Sequence, residues 1–316
     1  MAEPTRAPAE SEPSGLPSHV AGTVITVGTF DGVHRGHQDV LAHLARRARA
    51  SGLPSVLVTF EPHPSDVVKP AKAPQLLTVG DEKLAALAGT GIDYCAVVPF
   101  TPTLAAYDAA EFVDRVLRRR FRLRELVVGY DHGFGRDRAG GIGVLQAIGV
   151  RSGFPVEVVP PFQLPGSETI SSTAIRRAVS AGDLVWAAAA LGRRYSVMAR
   201  VVRGEQRGRL LGFPTLNLGA PPARKLLPPE GVYAVRVQTP SGTYGGMMNL
   251  GPRPTFGDDR PSLEAHLFDA AGDWYGAPVT VEFVERLRET RKFSGPDALV
   301  AQLREDAERA RGALTV

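Results

Sequence analysis

Val24-Ile25-Thr26-Val27-Gly28-Thr29-Phe30-Asp31-Gly32-Val33-His34-Arg35-Gly36-His37 decides how the chain reads. Its first four residues suit a buried strand. They run into a loop with glycines at 28, 32 and 36 and histidines at 34 and 37. Glycines let a backbone come close to a ligand. The stretch that follows, 38–50, is helical in pattern, with Val40, Leu41, Leu44 and Ala48 on one side. A strand, a glycine loop and a helix N-terminus together make a place for an anion, because the first helical N–H groups are unpaired and carry partial positive charge. At i and i+3, His34 and His37 share one face of the first turn, and both can donate to phosphate oxygens.

Outward from this stretch, strand-like and helix-like segments alternate. Residues 24–27, 55–60, 94–98, 126–129 and 156–159 read as strands; 81–88, 111–121, 142–150 and 171–180 join 38–50 as helices. The alternation predicts a Rossmann-like α/β domain, a parallel sheet covered by helices with its ligand at the carboxyl ends of the strands. Past about residue 187 the pattern changes. Segments 195–202, 231–237, 243–250, 262–268 and 279–284 are strand-like, with a turn signal at Thr239-Pro240-Ser241-Gly242, and 296–311 closes the chain as a helix. That predicts a small antiparallel β-barrel domain with a C-terminal helix. The expected division is a disordered tail over 1–20, rich in Ala, Pro, Ser and Glu, then domains over 21–186 and 187–316.

The 316 residues favour two domains, and 43% hydrophobic with 22% charged residues is the composition of an ordinary globular protein. The net charge of +4 suits anionic small molecules. No Lys/Arg block is interleaved with aromatics, so nucleic acid is not an expected partner, and Arg118-Arg119-Arg120 reads as a solvated helix end. No apolar run reaches the roughly 18–20 residues a membrane span needs. The N-terminus lacks the apolar region of a signal peptide, and Glu3, Glu10 and Glu12 argue against a transit peptide. The single cysteine, Cys95, fits a reducing compartment, hence the cytoplasm; its apolar setting predicts a buried, inert thiol.

Other stretches carry chemistry. Thr59-Phe60-Glu61-Pro62-His63-Pro64 follows a strand, and its prolines hold His63 extended. Gly129-Tyr130-Asp131-His132-Gly133-Phe134-Gly135 ends another strand as a Gly-rich loop. Ser171-Ser172-Thr173-Ala174-Ile175-Arg176 puts capping hydroxyls at a helix start and a guanidinium one turn in, able to clamp phosphate bidentately. Gly212-Phe213-Pro214-Thr215-Leu216-Asn217 reads as a turn entering an edge strand, and in 262–269 alternation sets Glu264, His266 and Phe268 on one face.

These motifs, spread in order over about 22–312, resemble those of the bacterial bifunctional riboflavin kinase/FAD synthetase family. His34-x-Gly36-His37 is similar to the nucleotidyltransferase signature, and the long form Gly28-Thr29-Phe30-Asp31-Gly32-Val33-His34 resembles the amino-terminal half of this family. The resemblance implies an ATP-binding role for Gly28, Thr29, Phe30, Asp31, Gly36, Ser172 and Thr173, and a catalytic one for His34, His37 and Arg176. It puts Pro62, His63, Pro64, Asp131 and Phe134 near the flavin of an FMN adenylyltransferase site. Gly212, Phe213, Pro214, Thr215 and Asn217 resemble the riboflavin kinase signature, in which the Thr and Asn oxygens hold Mg²⁺ and ATP phosphates. Leu216 departs from the usual Ala and implies altered packing. Glu264 corresponds to the base for the ribityl hydroxyl, His266 to a supporting residue, Arg253 to the substrate-lining flap, and Arg291 to a flavin contact. The implied activity is phosphorylation of riboflavin by ATP to FMN, then adenylylation of FMN to FAD. Small molecules are the expected partners of a monomer or weak homo-oligomer. Two alternatives remain: a transferase making a pantetheine or nicotinamide adenylate, and a catalytically silent flavin-binding protein.

Overall fold

A computed structural model of the chain describes residues 14–131, 133–134, 140–163, 169–204, 208, 211–252 and 261–315. It divides into two compact units, residues 1–74 with 83–171, and residues 75–82 with 172–316.

In the first unit, β1 (Thr23–Val27), β2 (Ser55–Glu61), β3 (Tyr94–Pro99), β4 (Leu123–Gly129) and β7 (Val156–Val159) form a parallel sheet in the order β3-β2-β1-β4-β7. Between β4 and β7 lies a small antiparallel pair, β5 (Gly133–Phe134) and β6 (Gly140–Gly141). Helices α1 (Arg35–Ser51), α2 (Pro64–Val68), α3 (Asp81–Ala88), α4 (Pro102–Ala106), α5 (Ala109–Glu111) and α6 (Ile142–Ser152) fill the connections, and α5 runs into a π-helical stretch, Phe112–Arg120. All of β1 is buried because both sheet faces are covered. On one face Ile25, Val56 and Leu126 meet Phe112, Val116 and Phe121. On the other, Val24, Leu57 and Val127 meet Leu41, Leu44 and Ala48 of α1 and Leu87 of α3. Leu41 and Leu44 are fully buried, each contributing about 2 kcal/mol. The chain turns outward from β1 in both directions, so the loops after β1 and β4 open side by side where the strand order reverses. In such sheets that crevice is where ligands bind.

The second unit carries α7 (Ser172–Ala181) and α8 (Leu184–Leu191), then a closed antiparallel barrel. Its strands are β8 (Ser196–Val202), β9 (Leu216–Leu218), β10 (Gly231–Thr239), β11 (Gly242–Pro252), β12 (Pro261–Leu267) and β13 (Pro278–Arg288), in the order β10-β11-β12-β9-β8-β13. Closure removes the exposed edges that such short strands would present. Tyr233, Val235, Val281 and Phe283 are buried, and the Tyr233 and Phe283 rings meet edge-on at 5.2 Å. Helix α9 (Pro296–Leu314) closes the chain and lays Leu303, Ala307 and Ala310 on Val232, Ala234, Met247 and Leu287. Residues Gln75–Glu82 also pack with this unit. Leu76 bridges to the 224–226 segment, and Glu82 pairs with Lys225 at 2.7 Å, both side chains buried. The Glu82 carboxylate accepts the Met198 N–H, and the Lys225 ammonium lies over the Tyr195 ring.

Several details differ from the sequence reading. Helix α1 begins at Arg35, because His34 caps it. Helix α8 spans the expected domain boundary at 187; Leu-Val-Trp-Ala-Ala-Ala-Ala-Leu is apolar all round and gives no period to read. Cys95 is exposed where a buried thiol was expected: β3 is the sheet's edge strand, with Tyr94, Ala96 and Val98 turned to the core and Cys95 and Val97 turned away. Of the expected tail, residues 1–13 lie outside the described residues; further on, Val20 is buried and the Arg122 guanidinium donates to the carbonyls of Pro17, Ser18 and Val20.

Candidate active sites

The β1–α1 turn is held tightly. Gly28 N–H donates to the Val58 carbonyl at 3.0 Å and the Thr59 hydroxyl to the Thr29 carbonyl at 3.2 Å, tying the turn to β2. Phe30 and Val33 both adopt positive φ, +48° and +42°. That backbone costs a non-glycine residue about 1–3 kcal/mol and is tolerated where the surroundings dictate it, commonly at functional sites. His34 is the N-cap of α1: its Nδ1 accepts the His37 N–H at 3.3 Å, which leaves the proton of the neutral ring on Nε2. The His34 and His37 rings stack at 3.6 Å, and Phe30 lies 4.7 Å from His37. A side chain at Gly36 would sit 3.3 Å from the His34 ring and 3.9 Å from the Ile170 carbonyl, so it would crowd the stack. Burial, then His34 and then Lys83, hold the His37 imidazole well below its usual range, so it is neutral at pH 7. Its Nδ1 is buried with no hydrogen-bond partner among the described residues. The turn therefore offers neutral donors and backbone N–H groups to an anion.

Asp31 is buried in the same turn. His63 sits at the end of β2 as the N-cap of α2, its Nδ1 accepting the Ser65 N–H at 3.2 Å beside the Ser65 hydroxyl at 2.6 Å, flanked by Pro62 and Pro64. Local capping thus engages one of its ring nitrogens. Asp131 is exposed in the turn after β4, next to the reversal of strand order. Phe134 lies on β5; its side chain, and the whole of His132, fall outside the described residues. Ser172 and Thr173 open α7 and Arg176 is one turn in, with Ala174, Ile175 and Val179 buried behind them. These three belong to the second compact unit, whereas His34, His37, His63 and Asp131 belong to the first.

The barrel brings a different set together. In register, Asn217 of β9 lies opposite Glu264 of β12, and Glu264 opposite Asn249 of β11, so three oxygen-bearing side chains stand abreast on three adjacent strands. The same row continues to Val232, under α9, which places it on the outer face of the barrel. The Ser262 hydroxyl donates to Glu264 at 3.1 Å. His266 Nδ1–H donates to the Pro214 carbonyl at 2.8 Å, and its ring stands edge-on to Phe213 at 5.2 Å, bracing the Gly212–Thr215 turn. Gly204 approaches so closely that a Cβ there would fall 2.2 Å from the Asn217 amide. Leu216 lies opposite Ala265, whose small side chain leaves it room. Arg253 lies outside the described residues. Arg291 lines a cavity of about 500 Å³ with Leu211, Lys292, Phe293 and Leu299. It donates to Gln302, which donates to the fully buried Asp306, itself in a bidentate pair with Arg288 at 2.7 and 2.9 Å. Asn249 opens the stretch that resembles the family's substrate-lining flap; Gln302 and Asp306 were not picked out from sequence, although they interrupt the apolar stripe of α9, which was the available signal.

A family model described as FAD synthetase matches residues 16–174, and one described as riboflavin kinase matches residues 191–314. The bifunctional riboflavin kinase/FMN adenylyltransferase of Pseudomonas fluorescens is 41% identical over 93% of this chain and 94% of its own length. The protein of the same name from Escherichia coli K12 is 39% identical over 92% of each. A solved structure, that of a macrolide-efflux protein from Streptococcus pneumoniae, aligns with a TM-score of 0.83 at 31% identity, over 92% of this chain and 94% of that one. Among the described residues no helix is long and apolar enough to cross a membrane. With that identity spread over nearly its whole length, the chain belongs to the bifunctional riboflavin kinase/FMN adenylyltransferase family.

Proposed function

We infer that the chain makes FAD from riboflavin in two ATP-dependent steps, one in each half. Its functional division falls near residue 187, a placement supported by the gap between the two family matches. In the carboxyl-terminal half the ribityl hydroxyl of riboflavin attacks the γ-phosphorus of ATP, Glu264 takes the hydroxyl proton, and ADP leaves. In the amino-terminal half a phosphate oxygen of FMN attacks the α-phosphorus of a second ATP and pyrophosphate leaves. His34, His37, the α1 N-terminus and Arg176 stabilise that charge, with Gly28, Thr29, Phe30, Asp31, Gly36, Ser172 and Thr173 around the nucleotide. Pro62, His63, Pro64, Asp131 and Phe134 line the flavin side of that site. Gly212, Phe213, Pro214, Arg253 and Arg291 bind the kinase substrates.

The Thr215 hydroxyl, the Asn217 carbonyl and the neighbouring Glu264 are the hard oxygen donors Mg²⁺ prefers, and the glycine cradle at 204 fixes the Asn217 amide. Thr215 and Asn217 would hold the ion, which when bound neutralises phosphate charge. Small molecules are the partners, without nucleic acid or membrane, and the protein works in the cytoplasm as a monomer or weak homo-oligomer.

The observation that carries the reading is the row Asn217–Glu264–Asn249 in a chain that also keeps the stacked His34 and His37. Incubation of the purified protein with riboflavin and Mg-ATP, followed by chromatography, should give FMN and then FAD. FMN alone would remove the transferase half of the reading, and no product would favour a silent flavin-binding protein.

A further inference from the structure

Lys83 is a charged residue in a place that does not suit one. It follows Glu82 on α3, is 8% exposed, and donates to the Phe60 carbonyl at 3.4 Å. That long bond engages one of its three donors. The groups whose charge it feels are Glu61 at the end of β2, Cys95 on β3 and Asp31 in the β1–α1 turn. His37, on α1, feels the lysine in turn. An ammonium in apolar surroundings carries a penalty of several kcal/mol, which an apolar side chain of the same length would avoid. The carboxylates of Asp31 and Glu61 give the charge a reason to be there. Asp31 lies between Phe30 and Val33, the two residues with positive φ, and Glu61 opens the Pro62-His63-Pro64 loop. The strained turn holds its shape only if its surroundings dictate it.

We propose that Lys83 is a positioning residue of the adenylyl-transfer site, a buried cation that holds the Asp31 turn and the Glu61–Pro64 loop in register. The proposal rests on the adenylyltransferase reading of this half. Its carbonyl bond fixes the last residues of β2, its charge balances the two carboxylates, and the same charge disfavours an imidazolium at His37. Burial pushes the lysine ammonium down, and Glu61, Cys95 and Asp31 work against that.

The test compares Lys83→Met, Lys83→Gln and Lys83→Arg in the full chain, with riboflavin phosphorylation in each preparation as the control for an intact fold. FAD synthesis from supplied FMN should fall roughly 10²-fold in kcat for Met and Gln, the scale of an ångström-sized misplacement, while phosphorylation stays within twofold. The acidic limb of the FAD-synthesis pH profile should move to higher pH in those two variants. Lys83→Arg, which keeps the charge, should recover most of the rate and the parental limb. FAD synthesis within twofold of the parent in Met and Gln overturns the proposal. So does a loss of both activities in step in all three variants, or an Arg variant no better than Gln. A parent that makes FMN but no FAD removes the underlying reading instead, and is distinguished by being seen before any substitution.

Discussion

Around His37 the chain offers donors: the N–H groups at the start of α1, and neutral imidazoles in a stack. Around Glu264 it offers acceptors: a carboxylate between two carboxamides, with the Thr215 hydroxyl close by in sequence. In the proposed reading both regions handle ATP, the first suited to grip phosphate oxygens directly, and the second to take a proton and to hold a cation that grips them in its place. The supports differ as well. The first site sits on a strained turn at the end of a parallel sheet, where loops from separate strands converge. The second lies on hydrogen-bonded strands, where register alone sets the spacing. Two chemistries at different phosphorus atoms thus use two kinds of scaffold, so damage to either should leave the other step running.

The sharpest way to break that contrast is Glu264→Ala. Riboflavin phosphorylation should fall about 10³-fold, within the range of a lost general base, with FAD formation from supplied FMN unchanged by chromatography. Equal loss of both products would show that the sites are not independent. His37→Ala should do the reverse, lowering FAD formation about 10²-fold, the scale of one lost charge-stabilising donor, while FMN still accumulates. Gly204→Ala tests the scaffold side. Its Cβ would displace the Asn217 amide, and phosphorylation should drop roughly tenfold, one 1.4 kcal/mol step, with a raised Mg²⁺ requirement in a metal titration. The smallest effect is on stability. Because the folded His37 resists protonation, the unfolded state binds the extra proton as pH falls below about 6.5, the ordinary histidine value. Stability is full above that pH and is lost as pH drops toward the depressed folded value. Urea unfolding should show the parent less stable at pH 5.5 than at pH 7.5, and the difference should shrink in His37→Gln.

Much of this was legible in the residues, because the strands of a doubly covered sheet are apolar runs and the motifs are contiguous. β7 begins and ends where its Val-rich run does, and Thr239–Gly242 marks the hairpin between β10 and β11. What was not legible depends on partners far away in sequence. The positive φ of Phe30 and Val33 has no composition to announce it. Cys95 was misread because its sequence neighbours are apolar, while its place on the edge strand β3 leaves it exposed. β9 is three residues long, too short for alternation to register, yet it carries Asn217 into the row. Lys83 sits in a short helix with nothing in its sequence neighbourhood to mark it, and only the packing of the sheet against α3 buries it.

The chain also does not keep its compact units in the order in which it is written. Residues Gln75–Glu82 come early, yet they count with the later unit, pinned by the buried Glu82–Lys225 pair. A gene divided near codon 187 would therefore part residues 75–82 from the unit they pack with. The first would carry a segment lacking Lys225, the second a lysine lacking its carboxylate, and each buried pair broken in this way costs ~3–5 kcal/mol. For anyone dissecting or recombining the two activities, any single cut between them leaves that eight-residue excursion on the wrong piece.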